Sequence, residues 1–211
     1  QGLDLYSQGD WQQSLNTFGT IISIDPAYGH ALDMLEESRQ RLQLEEMYAQ
    51  GLQLMERDDW AGAADMFRRV QSISPGYQKV GVYLRQAEHN KAVSSLYRRG
   101  RRAYGEAEWT TAIEALDQVV GMEADYLDAA RLLQEAIREK QLQHLTEDAQ
   151  ETFEAGHWVE AIEHYQSVLA MKADYPFAEA RLAEARRQRH IEIALAEGWH
   201  RIQAQSWLGA I

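Results

Sequence analysis

The chain has no cysteine, only 3 prolines and only 4 phenylalanines in 211 residues. Without cysteine there can be no disulfide framework, no thiol nucleophile and no thiolate-ligated zinc or iron–sulfur centre. Scarce proline favours long helices, since a proline inside a helix removes a hydrogen bond and clashes with the turn before it. No apolar run approaches the roughly 18 residues needed to span a bilayer, and no stretch reads as a signal peptide. Positive charge is also in deficit: 21 Lys and Arg stand against 33 Asp and Glu, a net charge of -12. That balance argues against nonspecific binding to nucleic acid or to an anionic membrane, both of which attract positive surfaces. The lack of cysteine fits a reducing cytosol, so a cytoplasmic location is the expectation.

What the sequence does have is internal repetition. Trp11, Trp60, Trp109, Trp158 and Trp207 follow one another at a constant step of 49 residues, and Tyr28, Tyr77, Tyr126 and Tyr175 keep the same step. A chain with such a period is read as an array of supersecondary units, each burying its apolar face on its neighbours. Each unit opens on a small residue (Gly2, Gly51, Gly100, Ala149, Gly198), where two helices are expected to approach closely. Twelve residues on stands another small residue (Ser14, Ala63, Ala112, Ala161, Ala210). Four later comes a large knob (Phe18, Phe67, Leu116, Tyr165), and three after that Ile21, Val70, Val119 and Val168. Spacings of three and four put these on one helical stripe.

Helix boundaries are expected from the same alignment. Asp25-Pro26 and Ser74-Pro75 read as N-caps with proline in the first turn, with Asp125 and Asp174 capping the later units and Pro176 just inside a helix start. Gly9-Asp10, Asp58-Asp59, Glu106-Ala107-Glu108 and Gly156-His157 read as tight turns before each Trp. A short helix of about thirteen residues then runs from each Trp. A long helix follows, from about Ala27 to Arg57, Gly76 to Gly105, Asp125 to Glu154 and Tyr175 to Ala204, rich in strong helix formers. The alternative is a three-helix unit with a break near Arg39 to Gln43. An unbroken long helix would make each unit climb by about 25 Å, giving an elongated, sheared rod.

The set Gly51, Ala63, Phe67 and Pro75, with the turn Gly9-Asp10-Trp11, resembles the tetratricopeptide repeat. The resemblance covers every unit, but the family's unit is about 34 residues, so each unit here carries about 15 more. It implies an all-α superhelical solenoid of helical hairpins whose first helix is elongated. The divisions are 1–26, 27–75, 76–124, 125–173 and a partial 174–211, all one solenoid domain expected to be cut from a longer chain. It also implies peptide binding on the helix that precedes each Trp turn. Tyr48 and Leu52, then Tyr97, Arg101 and Tyr104, and then Gln150 are the candidate partner-binding residues there, beside Met55, Glu56 and Phe153. A changed helix phase would instead bury Met55, Tyr104 and Phe153. The chaperone-binding subclass holds a terminal carboxylate with Lys and Asn at places where this chain has Tyr48, Leu52, Tyr97 and Arg101, so no such clamp is expected.

Charge adds one more candidate. From Arg85 to Arg102 six cations (Arg85, Lys91, Arg98, Arg99, Arg101, Arg102) face one anion, Glu88. Arg98 and Arg102 lie four apart on one helix face, a patch suited to an acidic partner or to another copy's acidic surface. No HExxH, calcium loop, P-loop, GxSxG or dinucleotide fingerprint occurs. Gly100 and Gly105 lie inside a helix, not after a strand. No catalysis, cofactor, metal or small-molecule substrate is expected. The expected function is recognition of a protein or peptide partner within a larger protein, with a signalling protein suggested by fold-level analogy. The alternative is self-assembly through head-to-tail repeat contacts that need not close.

Overall fold

A computed structural model describes residues 2–208, with side chains described through residue 203. Every regular element among the described residues is a helix. In order they are α1 Gly2–Gln8, α2 Trp11–Ile24, α3 Ala31–Glu56, α4 Trp60–Ile73, α5 Val80–Gly105, α6 Trp109–Met122, α7 Ala129–Glu154, α8 Trp158–Met171 and α9 Pro176–Leu208. Helices consecutive in sequence pack on each other. The packing divides between Ser95 and Leu96, inside α5, into two compact units. None of the described helices is long and apolar enough to cross a membrane.

The short helices begin at the Trp ladder, each 14 residues long. The long helices α3, α5 and α7 are unbroken at 26 residues each, so the expected two-helix unit holds and the break near Arg39 is not formed. The N-caps fall elsewhere than expected. Asp25 and Ser74 are the extended residues that cap the C-termini of α2 and α4, each returning its backbone N–H to a carbonyl of the preceding turn. Asp125 likewise lies in a connecting turn, and Asp128 stands at the start of α7. Asp174 does not cap α9 either, for the helix starts at Pro176 and the first carbonyl to accept is that of Tyr175. The cause is a tight connection in which the Tyr28, Tyr77 and Tyr126 carbonyls accept the N–H three residues on, while Gly29, Gln78 and Leu127 take positive φ. Helices α3, α5 and α7 therefore start about four residues later than expected, while α9 starts at Pro176, next to the expected Tyr175. The capping aspartates belong to the short helices instead: Asp10 accepts from the Gln13 N–H at 3.1 Å and Asp59 from the Gly62 N–H at 2.9 Å.

Each turn before a Trp passes through the left-handed region, at Gly9, Asp58, Ala107 and Gly156. Glycine takes that conformation without strain, whereas a β-carbon costs about 1–2 kcal/mol. At three of these turns the Trp ring then meets an aromatic side chain from the helix before it. Tyr6–Trp11, Tyr104–Trp109 and Phe153–Trp158 are all edge-to-face pairs, with centroids 5.4, 5.6 and 5.4 Å apart.

The short helices α4, α6 and α8 bury the stripe read from the sequence, whereas in α2 Ser14 and Phe18 are buried and Ile21 is half-buried. Ala63, Phe67 and Val70 of α4, Ala112, Leu116 and Val119 of α6, and Ala161, Tyr165 and Val168 of α8 have no exposed surface. Fully burying one such large apolar side chain contributes about 1.5–3 kcal/mol. The stripe lies against small residues on both sides. A β-carbon at Gly51 would sit 2.7 Å from the Phe67 ring, and one at Gly100 would sit 2.7 Å from Leu116. The following long helix supplies Ala87, Ala136 and Ala185, also fully buried. In the first unit the same two positions are Ser14 and Ser38, whose hydroxyls bond each other at 3.0 Å in the interior. Each satisfies the other, which removes the cost of burying an unpaired hydroxyl. Ala210 lies outside the described residues, as does the side chain of Trp207.

Replacing Gly51 by leucine keeps a good helix former but fills the space of the Phe67 ring. Chemical denaturation of Gly51→Leu is expected to show a loss of about 1–3 kcal/mol. An unchanged midpoint would mean that the two helices are not held at glycine distance.

Candidate partner-binding groove

The second unit shows what the long helices make possible. Helix α7 rises about 39 Å and two short helices laid in line rise about 42 Å, so one long helix can carry two short ones. Both α6 and α8 pack on α7, and both run antiparallel to it. The start of α6 and the end of α8 meet over its middle. Trp109, the first residue of α6, and Lys172, the residue just past α8, line one cavity of about 410 Å³ with Leu142, Gln143 and Tyr175. The Arg138 guanidinium donates to the Met171 carbonyl at 2.8 Å, closing the C-terminal end of α8 onto α7.

This cavity continues on both sides. Toward α6 it opens into a space of about 470 Å³ lined by Glu108, Thr110, Thr111, Lys140, His144 and Glu147. Toward α8 lies a third, of about 250 Å³, lined by Tyr104, Glu135, Glu139 and Met171. Shared lining residues join the three into one groove along α7. Its floor is the buried Leu142 and the half-buried Trp109, and its walls are charged. The first unit repeats the design two units earlier in sequence. A cavity of about 450 Å³ is lined there by Glu37, Arg41, Leu44, Ile73 and Ser74, and the Arg41 guanidinium lies 5.9 Å from the Trp11 ring centroid.

Hydrogen bonds fix the groove's α5 edge. Tyr104 donates to Glu135 at 3.0 Å, and Arg131 holds both Glu135 and Asp128. Tyr97 donates to the other oxygen of Asp128. Arg131 and then Tyr104 hold the Glu135 carboxyl below the usual carboxylate range. Tyr97 and then Arg131 do the same for Asp128. Both phenols are raised, chiefly by donating to those carboxylates. Glu37 raises Tyr6 in the same way in the first unit.

The sequence-predicted site residues therefore part company. Tyr48 is 8% exposed and edges onto Phe67, so it is interior rather than surface, and the half-buried Leu52 packs against the same core. Tyr97 is 8% exposed, with its hydroxyl committed to Asp128. Gln150 is held inside its hairpin, accepting from the Tyr165 hydroxyl at 2.9 Å and donating to Glu154. Arg98 and Arg101 are exposed, and Arg102 is exposed and paired with Glu106 at 3.0 Å. Of the set, only Tyr104 lines the groove. Trp109, Leu142, Gln143, Lys172 and Tyr175 did not figure among the expected site residues. The signal that could have found them is arithmetical: two short helices of 14 residues on one of 26 meet near its midpoint.

No group of three or more His, Asp or Glu that could hold a metal occurs among the described residues. No protein-family model, curated protein or solved structure matches the chain.

His144 gives the groove a pH-dependent edge. Its ring lies 2.9 Å from Asp148. A hydrogen bond to its own backbone and the Asp148 carboxylate raise its pKa above the ordinary histidine value. A group raised on folding contributes stability below its unfolded value and loses it as pH climbs through the folded one. NMR titration of His144 is expected to give a midpoint above that of a free histidine, moving part of the way back in Asp148→Asn. A midpoint at the ordinary value in the unaltered protein contradicts the pairing.

Proposed function

We propose that this chain is a protein-binding helical repeat: a superhelical solenoid of extended tetratricopeptide-like hairpins that receives a protein or peptide partner in the grooves where its short helices meet. Its work on this reading is recognition in the cytoplasm, with no chemistry of its own. The observation that carries the proposal is the groove over the middle of α7. It joins three cavities over an apolar floor of Leu142 and Trp109 with charged groups along its edges. Such a lining suits a polypeptide, with apolar side chains seated on the floor and polar groups met at the rim. The first unit carries a cavity of the same kind, lined by Glu37, Arg41 and Leu44.

A photo-crosslinking residue at Gln143, exposed on the groove, tests this in cells that make the protein. One discrete crosslinked partner is expected from position 143, and none from Glu163 on the exposed side of α8. Equal labelling from both positions, or none from the groove, would remove the proposal's support.

A further inference from the structure

Most cations along the α7 groove are already committed. The Arg138 guanidinium donates to the Met171 carbonyl, the Lys172 ammonium stands 5.4 Å from the Tyr175 ring centroid, and His144 pairs with Asp148. The carboxylates are freer. Glu135 is held by Arg131, but Glu147 accepts from the neutral Gln143 amide at 2.8 Å. Glu108 and Glu139 form no ion pair among the described residues. Against these three carboxylates stands Lys140, so the lining holds an excess of negative charge around an apolar floor.

Glu139 and Glu147 stand three residues before and five after Leu142, one on each side of that floor. The eight residues between them rise about 12 Å along the helix. An extended polypeptide advances about 3.3 Å per residue and turns alternate side chains to the same face, so its residues i, i+2 and i+4 span about 13 Å there. The two lengths match. We infer that the groove selects an extended segment of a partner protein that carries Lys or Arg, an apolar residue and again Lys or Arg at alternate positions. The apolar side chain seats on Leu142 and Trp109, and each cation meets one carboxylate. This inference rests on the groove reading and names the chemistry of its occupant. The pattern belongs to α7 among the long helices. The columns of Glu139 and Glu147 hold Arg41 and Ala49 on α3, Asn90 and Arg98 on α5, and Gln188 and Ala196 on α9. One such segment is therefore expected per chain.

The test titrates the whole chain into a dye-labelled peptide, Gly-Thr-Lys-Thr-Leu-Thr-Lys-Thr-Gly, followed by anisotropy; its threonines favour an extended chain. Saturable one-to-one binding is expected. It should weaken about threefold in Glu139→Gln and in Glu147→Gln, and about tenfold in the double variant, since charges this far apart act nearly independently. Serine in place of the peptide's leucine should cost about tenfold, and glutamate in place of both lysines should abolish binding. Circular dichroism should show the protein variants as helical as the parent, since glutamine is as good a helix former as glutamate. Absence of saturable binding overturns the inference, as does binding that the double variant leaves intact or that the glutamate peptide shares. Self-association of the unaltered chain that the double variant abolishes also overturns it, because a second copy's arginines then fill the groove. Crosslinking from Gln143 reads the groove separately: a partner captured there without such a segment leaves the binding reading standing and removes only this inference.

Discussion

One length relation governs this structure: a helix of 26 residues is nearly as long as two helices of 14 placed in line. A hairpin of equal helices would cover a long helix with one partner. Here α7 is long enough for two, so α6 occupies its first half and α8 its second. The length of α7 thus provides a second berth on the long helix, and its by-product is a seam at its midpoint. The groove is that seam. It lies where the end of one short helix faces the start of the other, with Trp109 and Lys172 among its lining residues.

The side-by-side packing depends on the close approach permitted by the small columns. Gly51 and Gly100 lie directly under a large side chain, and the alanines of the following helix close the other side. Because the knob is wedged between them, it reaches full burial even though a repeat has no deep interior of its own. The buried Ser14–Ser38 pair shows the tolerance of this joint. A hydroxyl is accepted in the alanine position only because its neighbour across the contact is also a hydroxyl.

Much of this was legible in the residues. The Trp ladder marked the first residue of every short helix from Trp11 to Trp158, and the small–knob–valine stripe proved to be the buried one. The Tyr ladder misled, because an Asp or Ser before Pro is an attractive N-cap when only local chemistry is considered. In the structure Asp25 and Ser74 close the preceding helix, and the capping work falls to Asp10 and Asp59. The candidate site was less legible. Tyr48 and Tyr97 are expected as surface aromatics from the resemblance, yet Tyr48 packs on Phe67 and Tyr97 gives its hydroxyl to Asp128. Charge and aromatic content alone could not distinguish them from Tyr104, which does reach the groove. The positions that line it are set by where two helices end, a property of lengths rather than of any motif.

The absence of cysteine permits a direct test of the end-to-end arrangement. Thr110→Cys and Lys172→Cys place one thiol at the start of α6 and another just past the end of α8, to be joined by a short bismaleimide. Rapid intramolecular crosslinking is the expected result, with a peptide map linking the two sites in a protein of monomeric mass. If the pair fails to crosslink while both thiols react freely with a single maleimide, the two short helices do not share α7, and the account of the groove falls with it.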